Sequence, residues 1–366
     1  MAEIELRSLA HSYSEMPAGD GDYAIRQLDH VWHKGGAYAL LGPSGCGKST
    51  MLNIISGLVQ PSEGDVLFDG KRVNELSPRD RNIAQVFQFP VVYDSMTVFD
   101  NLAFPLRNNR IPASRIKARV HEIAQVLEIE DKLYRKARNL SADEKQKVSM
   151  GRGLVREDVS AILFDEPLTV IDPQLKWKLR RKLRQIHEQF DITMIYVTHD
   201  QLEASTFADK IAVMYEGQIV QFGTPTELFE QPNHTFVGFF IGSPGMNLIA
   251  VRRCPGGVCF GASVVPLEPW QTETLERVSS SNIKIGIRPE FVRISELPAD
   301  DTWEARVTDV EDLGTYRIVT VVLGEEKLRV RQGEGFRVGI GGKVQVSFPR
   351  QWLKLYVDEF LVQEQL

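Results

Sequence analysis

A glycine-rich segment near the N-terminus limits the folds that this chain can adopt. It reads Gly42-Pro-Ser-Gly-Cys-Gly-Lys48-Ser49-Thr50 and matches G-x-x-x-x-G-K-[ST] at every fixed position. The apolar run AYALL precedes it, and the helical pattern STMLNIISGL follows it. Glycines let backbone N–H groups turn inward around phosphates, and the helix N-terminus adds positive potential at the same place. The segment therefore predicts a phosphate-binding turn between a strand and a helix, in preference to a turn that binds nothing.

The residue types in this segment suit a nucleotide with a bound metal ion. Lys48 can reach the β- and γ-phosphates, and the Ser49 hydroxyl can ligate Mg²⁺. We therefore predict ATP and Mg²⁺ as the ligands of the loop. The predicted ATP-binding residues within it are Gly42, Pro43, Ser44, Gly45, Cys46, Gly47, Lys48, Ser49 and Thr50.

A second apolar run, Ala161–Phe164, ends in two carboxylates, Asp165 and Glu166. Such a run places Asp165 at the C-terminal edge of a strand, where Mg²⁺ lies in sheets of this kind. Glu166 can polarise the water that attacks the γ-phosphate. The alternative is a pair of acids that caps a helix after the strand. Beside a complete phosphate loop, the catalytic interpretation is the stronger one.

The first 235 residues or so alternate buried strands with amphipathic helical patterns, which predicts an α/β sheet with helices on its faces. A long helix is predicted over Pro173–Phe190. Residues 89–153 are mostly helical in pattern and predict an inserted helical subdomain. The predicted strands are Ala37–Leu41, Ala84–Phe87, Ala161–Phe164 and Met194–Val197.

Beyond about Pro244 the pattern changes to short alternating strands with glycine-rich turns, including Gly333–Gly335 and Gly339–Gly342, which is typical of a small β-barrel or sandwich. Glu268–Ser281 is polar and weakly patterned, so a loop is expected there. We place the two domains at residues 1–240 and 241–366. The predicted C-terminal strands are Lys284–Ile287, Glu304–Val310, Tyr316–Leu323, Lys327–Val330 and Lys343–Phe348.

Composition argues against several classes of function. The net charge of −6 argues against a primary nucleic-acid binder, which usually carries a basic excess. No apolar run approaches the roughly 18 residues of a membrane span, and the N-terminus lacks the pattern of a secretion signal. A role at a membrane would therefore depend on partners.

Over nearly its full length the chain resembles the ATPase subunits of ABC transporters. This resemblance implies a P-loop NTPase domain of the ABC type with an inserted helical subdomain, hence an ATP hydrolase. Gln88, in Val-Phe-Gln-Phe-Pro, is similar to the family's Q-loop glutamine, which contacts Mg²⁺ and the attacking water. His199, in Tyr-Val-Thr-His-Asp, is similar to the switch histidine, which contacts the γ-phosphate and orients the water. Asp172, in Thr-Val-Ile-Asp, has the position of the D-loop, which touches the opposite subunit in this family.

An aromatic residue before the phosphate loop stacks on adenine in this family. Tyr13 is the first candidate in this sequence. The spacer between Tyr13 and the loop is longer than usual, and Ala18–Asp22 has the composition of an insertion. Tyr23 is therefore an alternative.

One segment departs from the family pattern. The family signature Leu-Ser-Gly-Gly-Gln is replaced by Leu140-Ser-Ala-Asp-Glu144, and the residues Gln146, Val148, Arg152 and Leu154 fix the alignment. In the family this loop faces the γ-phosphate bound by the other subunit, and its glycines allow close approach of the backbone. Here Ala142 adds a side chain, and Asp143 and Glu144 add negative charge. Ser141 is expected to donate one hydrogen bond to phosphate. The alternative is a tolerated surface change in which the acids cap a helix.

Because Lys48, Asp165, Glu166 and His199 are all present, a partner with an ordinary signature would complete one competent ATP site. The hypothesis is a heterodimeric ATPase with one weakened site. A homodimer would carry the change in both sites. The presence of Glu166 and His199 argues against a regulatory module that does not hydrolyse ATP.

Three C-terminal segments are similar to the importer branch of the family. Residues 211–229 and 236–247 resemble the end of the nucleotide-binding domain in maltose-type sugar importers, and Gly286–Glu290 resembles the start of their OB-like TOBE domain. The runs Val86–Asp94 and Leu168–Asp172, with the altered signature, are similar to ATP-binding subunits of bacterial glycerol importers. The resemblance implies permease subunits, a second ATP-binding subunit and, indirectly, a solute-binding protein as partners. It also implies a peripheral position at the cytoplasmic face of the bacterial inner membrane. The remaining alternative is a soluble ABC ATPase that acts on nucleic acid or ribosomes.

Overall fold

The computed structural model describes residues 1–261, 263–299, 301–333 and 339–364. These residues form two compact units, Met1–Pro225 and Thr226–Leu366, each with its own hydrophobic core. The predicted α/β domain followed by a small β domain is confirmed. Among the described residues, no helix has both the length and the apolar composition needed to cross a membrane.

The first unit contains a mostly parallel sheet and a smaller antiparallel one. Its strands are β1 (Ile4–Ser12), β2 (Tyr23–Trp32), β3 (Ala37–Leu41), β4 (Glu63–Phe68), β5 (Lys71–Arg72), β6 (Ile83–Val86), β7 (Ala161–Asp165), β8 (Met194–Thr198), β9 (Lys210–Tyr215) and β10 (Gln218–Gly223). Its helices are α1 (Lys48–Ser56), α2 (Val98–Asn108), α3 (Ala113–Val126), α4 (Ala142–Leu154), α5 (Pro173–Phe190) and α6 (Gln201–Phe207).

The six-stranded sheet has the order β10-β9-β3-β8-β7-β6, and all its pairings are parallel except β10 with β9. Every residue of β3 and β8 is buried, as expected for strands covered on both faces. The four strands predicted in this unit lie within one residue of their observed bounds, and α5 has its predicted bounds. The antiparallel sheet β2-β1-β4-β5 was not predicted.

Residues 87–160, all of which the structure describes, contain α2, α3 and α4 but no strand of either sheet. The helical pattern of the insertion is therefore present. Gly151 of α4 allows close packing, because a Cβ there would lie 2.5 Å from a methyl group of Leu102 on α2. Arg119 of α3 donates from Nη2 to the Leu154 carbonyl at the C-terminus of α4, at 2.9 Å.

The second unit consists of two antiparallel sheets with the orders β13-β12-β11-β14-β20-β21 and β15-β19-β16-β17-β18, whose inner faces share one core. This arrangement fits the small β-barrel or sandwich predicted from the sequence. Its elements are β11 (Asn247–Cys254), β12 (Gly257–Phe260), β13 (Ser263–Val265), β14 (Ile283–Ile287), β15 (Arg293–Ser295), β16 (Trp303–Asp312), β17 (Arg317–Leu323), β18 (Glu326–Gln332), β19 (Lys343–Ser347), β20 (Lys354–Val357), β21 (Phe360–Leu361), α7 (Pro225–Glu230), α8 (Thr235–Phe240) and α9 (Pro269–Arg277).

The expected loop over residues 268–281 is wrong, because α9 occupies most of it. Proline stands at the start of the helix, where its missing N–H costs nothing, and the Glu268 N–H donates to Gln271 Oε1 at 3.1 Å. Only Gln271 and Leu275 of this helix are buried, so its apolar pattern is too sparse to be seen in the sequence. Of the predicted glycine turns, the one at residues 333–335 runs outside the described residues.

The second unit begins before the predicted domain boundary at residue 240. Arg288 explains this difference, since its guanidinium donates from Nε to the Phe229 carbonyl at 2.6 Å and from Nη1 to the Ile241 carbonyl at 2.5 Å. Its guanidinium also lies 3.8 Å from the centre of the Phe229 ring. Burial lowers the pKa of Arg288 to about 10. The segment carrying α7 and α8 therefore packs with the β domain that follows it.

Glu359 ties the last hairpin to α8 and β14. Its carboxylate accepts hydrogen bonds from Lys284 at 2.5 Å, from Asn282 at 3.3 Å and from the Thr235 hydroxyl. Burial alone would raise the pKa of Glu359, but these three donors together lower it to about 2.

We expect the second unit to lose stability between about pH 4.5, the ordinary pKa of a glutamate, and about pH 2, the pKa of Glu359. A carboxyl whose folded-state pKa is lowered stabilises the fold above its unfolded-state pKa, and this contribution disappears as pH falls through the folded value. Thermal unfolding of the full chain from pH 7 to pH 2.5 would measure it. Glu359→Gln should lower the melting temperature at pH 7, with a difference that shrinks below pH 4.5. The exposed Glu276→Gln serves as control, and a pH-independent difference for Glu359→Gln would contradict the prediction.

Candidate active site

The parallel strands bring four predicted site segments to one edge of the sheet. Gly42 follows β3, Gln88 follows β6, Glu166 follows β7, and His199 follows β8. The register pairs Leu41 with Thr198, Val86 with Phe164, and Asp165 with Val197, so the ends of the strands are level. Ligands bind in crevices at the carboxyl ends of parallel strands. The structure therefore places these segments where a nucleotide is expected.

The phosphate loop runs from β3 into α1, and two of its glycines are required by close backbone approach. A Cβ on Gly42 would lie 2.3 Å from the Met214 carbonyl oxygen, and a Cβ on Gly47 would lie 2.3 Å from that of Ala24. Gly47 also has φ +101°, which favours glycine. Lys48 is 5% exposed, and its ammonium donates to the carbonyls of Gly42 at 2.9 Å and Pro43 at 2.8 Å. The Lys48 ammonium is thus held against the phosphate loop.

The side chains of Ser49 and Asp165 meet at the loop. The Ser49 hydroxyl donates to Asp165 Oδ1 at 3.1 Å. Burial raises the pKa of the Asp165 carboxyl; the Ser49 hydrogen bond opposes this, and the neighbouring Glu166 charge adds to it. A hydroxyl and a carboxylate next to a phosphate loop are the oxygen ligands that Mg²⁺ prefers. The residues present therefore fit the predicted metal, and a cation here would offset the cost of the Asp165 charge. Gln88, the third predicted ligand, is half-buried in the segment after β6.

The two predicted catalytic residues are in contact. His199 Nδ1 lies 3.2 Å from Glu166 Oε1. Glu166 adopts φ +44°, uncommon for a residue with a side chain. Its N–H donates to the Val197 carbonyl at 3.1 Å, and its own carbonyl accepts from the Thr169 hydroxyl at 3.0 Å. These backbone contacts fix the position of the carboxylate at the strand edge.

A buried acid that the sequence analysis missed supports the strand end before His199. Glu203 is 4% exposed, and its Oε2 accepts from the Tyr196 hydroxyl at 3.0 Å and from the Thr198 hydroxyl at 2.9 Å. Arg180 lies 3.7 Å away and compensates the charge. The only sequence signal for Glu203 was its position five residues after Thr198, within the first turn of α6.

The adenine candidates are separated by their contacts. The Tyr13 hydroxyl lies 3.1 Å from the Thr50 hydroxyl, and its ring is 68% exposed. The Tyr23 hydroxyl instead donates to Glu63 at 3.1 Å. Tyr13 is thus the aromatic beside the phosphate loop. Its stacking on adenine stays a prediction.

The altered signature forms the start of α4, with Ser141 as its N-cap. The Ser141 hydroxyl donates to the Asp143 carboxylate and accepts weakly from the Glu144 N–H at 3.4 Å, while the Ser141 N–H donates to Glu144 Oε2 at 3.0 Å. Glu144 pairs with Lys132 at 2.9 Å, and this contact lowers the pKa of Glu144. The capping alternative therefore describes the geometry. In this structure the Ser141 hydroxyl is bonded to Asp143, and its expected hydrogen bond to phosphate stays a prediction.

Asp172 also caps a helix. Its carboxylate accepts from the Gln174 N–H at 2.9 Å at the start of α5, and Asp172 is exposed. Its predicted contact with a second subunit stays a prediction. Lys132, like Glu203, was missed because it is brought to its partner by the fold and not by a motif.

Comparisons with known proteins identify the family and the fold. A family model described as ABC transporter matches residues 25–169, and a TOBE domain model matches residues 285–355. The structure of cbiO1 from Clostridium perfringens, part of the ABC transporter complex cbiONQ, is similar with a TM-score of 0.56 and 28% identity. The match covers 62% of this chain and 90% of that chain.

Three relatives match along most of their length. The sn-glycerol-3-phosphate import ATP-binding protein UgpC of Paraburkholderia xenovorans is 37% identical over 97% of this chain and 98% of its own. The oligosaccharides import ATP-binding protein MsmX of Bacillus subtilis is 35% identical over 95% of each chain. The trehalose/maltose import ATP-binding protein MalK of Thermococcus litoralis is 40% identical over 85% of this chain and 89% of its own. The chain belongs to the ABC transporter family, as an ATP-binding, ATP-hydrolysing subunit with a C-terminal TOBE domain.

Proposed function

We propose that this chain hydrolyses ATP to energise an importer for a sugar, a polyol or a related small solute, with glycerol as the favoured substrate. The observation that carries the proposal is the meeting of Lys48, Ser49, Asp165, Glu166 and His199 at one sheet edge in a chain of the ABC family. The relatives that match nearly full length are named for import of glycerol-3-phosphate, oligosaccharides or maltose, which supports a solute of this class.

The chain acts in this proposal from the cytoplasmic face of the inner membrane, as a peripheral subunit. Permease subunits carry the solute, and a solute-binding protein delivers it. The import named in the relatives' descriptions supports these partners.

The residues at the sheet edge divide the chemistry of hydrolysis among them. The phosphate loop and Lys48 hold the β- and γ-phosphates of ATP. Ser49, Asp165 and Gln88 would hold Mg²⁺, which would neutralise phosphate charge when bound. Glu166 accepts a proton from the attacking water, and His199, in contact with it, orients that water against the γ-phosphate. Little covalent chemistry is asked of the protein, so catalysis depends on position and charge.

The proposed partner is a second, different ATP-binding subunit with an ordinary signature. In this chain the N-terminus of α4 is already satisfied by its own acids, because Ser141, Asp143 and Glu144 bond to one another. The Glu144 charge is offset by Lys132, which leaves Asp143 as the acid that meets the partner's nucleotide. Two like charges at about 4 Å repel by roughly 1 kcal/mol in water and by several-fold more in a partly dry site. The site that receives this signature is therefore the weakened one.

In the assembled transporter we expect Glu166→Gln to lower the ATP turnover number by at least about 100-fold and to leave ATP affinity within about threefold, since the amide cannot accept the proton from water. Steady-state hydrolysis and nucleotide binding on the same preparation would measure both. The exposed Glu188→Gln on α5 serves as control. Turnover unchanged in Glu166→Gln would sink the proposed role.

We expect the isolated full-length chain to hydrolyse Mg-ATP slowly, and the triple change Ala142→Gly, Asp143→Gly, Glu144→Gln to raise the rate at least about 10-fold. The change removes the charge and reopens the helix N-terminus to phosphate. Glu130→Gln, on the turn before Lys132, controls for loss of an unrelated acid. Equal rates before and after the triple change would show that the altered signature is tolerated, and the hetero-pair would be dropped.

A further inference from the structure

We infer that Gln146 of α4 couples the loop that carries the catalytic carboxylate to the segment that carries Gln88, so that nucleotide binding at one moves the other. We call residues 165–169 the Glu166 loop and residues 87–94 the Gln88 segment. The inference rests on the proposed function, because it assigns a positioning residue to the same ATP site.

The Gln146 side chain bridges the two segments by hydrogen bonds. The side chain is 0% exposed. Its Nε2 donates to the Phe87 carbonyl at 3.1 Å and to the Pro167 carbonyl at 2.9 Å. An amide nitrogen has two hydrogens, so both are used, one for each segment.

Each of these carbonyls is one residue away from a predicted site residue. The Phe87 carbonyl shares its rigid peptide plane with the N–H of Gln88. Pro167 directly follows Glu166. The strands that precede the two segments are paired in register at Val86 and Phe164, so both segments leave the sheet at the same level. A shift of either carbonyl therefore pulls on the other through one nitrogen atom.

Other side chains of α4 fasten this helix to the Gln88 segment. Lys145 pairs with Asp94 at 2.9 Å, and the Ser149 hydroxyl accepts from the Val91 N–H at 3.2 Å. Arg152 donates to the Val91 carbonyl, and its guanidinium lies 4.6 Å from the centre of the Tyr93 ring. The helix and the Gln88 segment are thus held together at several points, and the altered signature lies at the start of the same helix. Gln146 adds the link to the Glu166 loop.

The amide oxygen of Gln146 indicates that the glutamine is present for its donor bonds and not for packing alone. Gln146 Oε1 is buried and has no hydrogen-bond donor among the described residues. An unpaired buried acceptor is destabilising. An apolar side chain would avoid that cost but would lose both donor bonds. The donor bonds are therefore the feature that requires glutamine here.

Hydrogen exchange of the full-length chain with and without Mg-ATP tests the coupling. In the unmutated chain we expect ATP to slow exchange in both the Glu166 loop and the Gln88 segment. Gln146→Met has similar length but no donor, and Gln146→Glu keeps the shape without the NH₂ group. In both variants we expect ATP to protect the Glu166 loop as before and to protect the Gln88 segment at least about fivefold less. The exposed Gln125→Met on α3 is the matched control and should behave as the unmutated chain.

Each other outcome overturns the inference. Full ATP-dependent protection of both segments in either folded Gln146 variant would show that the Gln146 hydrogen bonds do not couple them. Loss of protection at both segments would show a general loss of nucleotide binding, which a merely structural role explains. No ATP-dependent protection in the unmutated chain would overturn the proposed function, and this inference with it.

Discussion

The level ends of the parallel strands β3, β8, β7 and β6 determine the position of the whole site. Because Leu41 pairs with Thr198 and Val86 with Phe164, the phosphate loop, Gln88, Glu166 and His199 all begin from one edge. A slip of a single residue in any pairing would reverse the faces of that strand and remove its site residue from the edge. The buried runs of these strands therefore fix the chemistry as well as the core, and the Glu166–His199 contact at 3.2 Å depends on them.

The start of α4 is a second case in which local structure decides function. A helix N-terminus is a natural anion site, and in this chain it is filled by acids from its own first turn. Lys132 compensates Glu144, so the changed sequence is stable within its own subunit. In the proposed arrangement, the cost of the Asp143 charge falls on the nucleotide bound by the partner subunit. The proposed pair of unlike subunits rests on this combination of a full set of predicted hydrolytic residues with a self-capped signature.

The parallel sheet could be predicted because its strands are continuous buried runs that end in residues of recognisable chemistry. The antiparallel sheet could not, since β1 carries bulges and Ser8 has φ +46°, which interrupt the alternation of its side chains. The helix α9 was missed because it buries so few residues. Among site residues, motifs gave Lys48, Asp165 and Glu166, whereas Lys132, Gln146 and Glu203 act through contacts between segments far apart in the chain. No local pattern encodes such contacts.

A structure of the closed ATPase pair with a non-hydrolysable ATP analogue tests the central claim, which is that the altered signature does not complete its nucleotide site. The account predicts that the Ser141 hydroxyl stays bonded to Asp143 and lies beyond about 3.5 Å from the γ-phosphate of the partner's nucleotide. It also predicts that the partner's signature contacts the nucleotide held by Lys48. A Ser141 hydroxyl within hydrogen-bond distance of the γ-phosphate of the partner's nucleotide, with Asp143 displaced, would contradict the account.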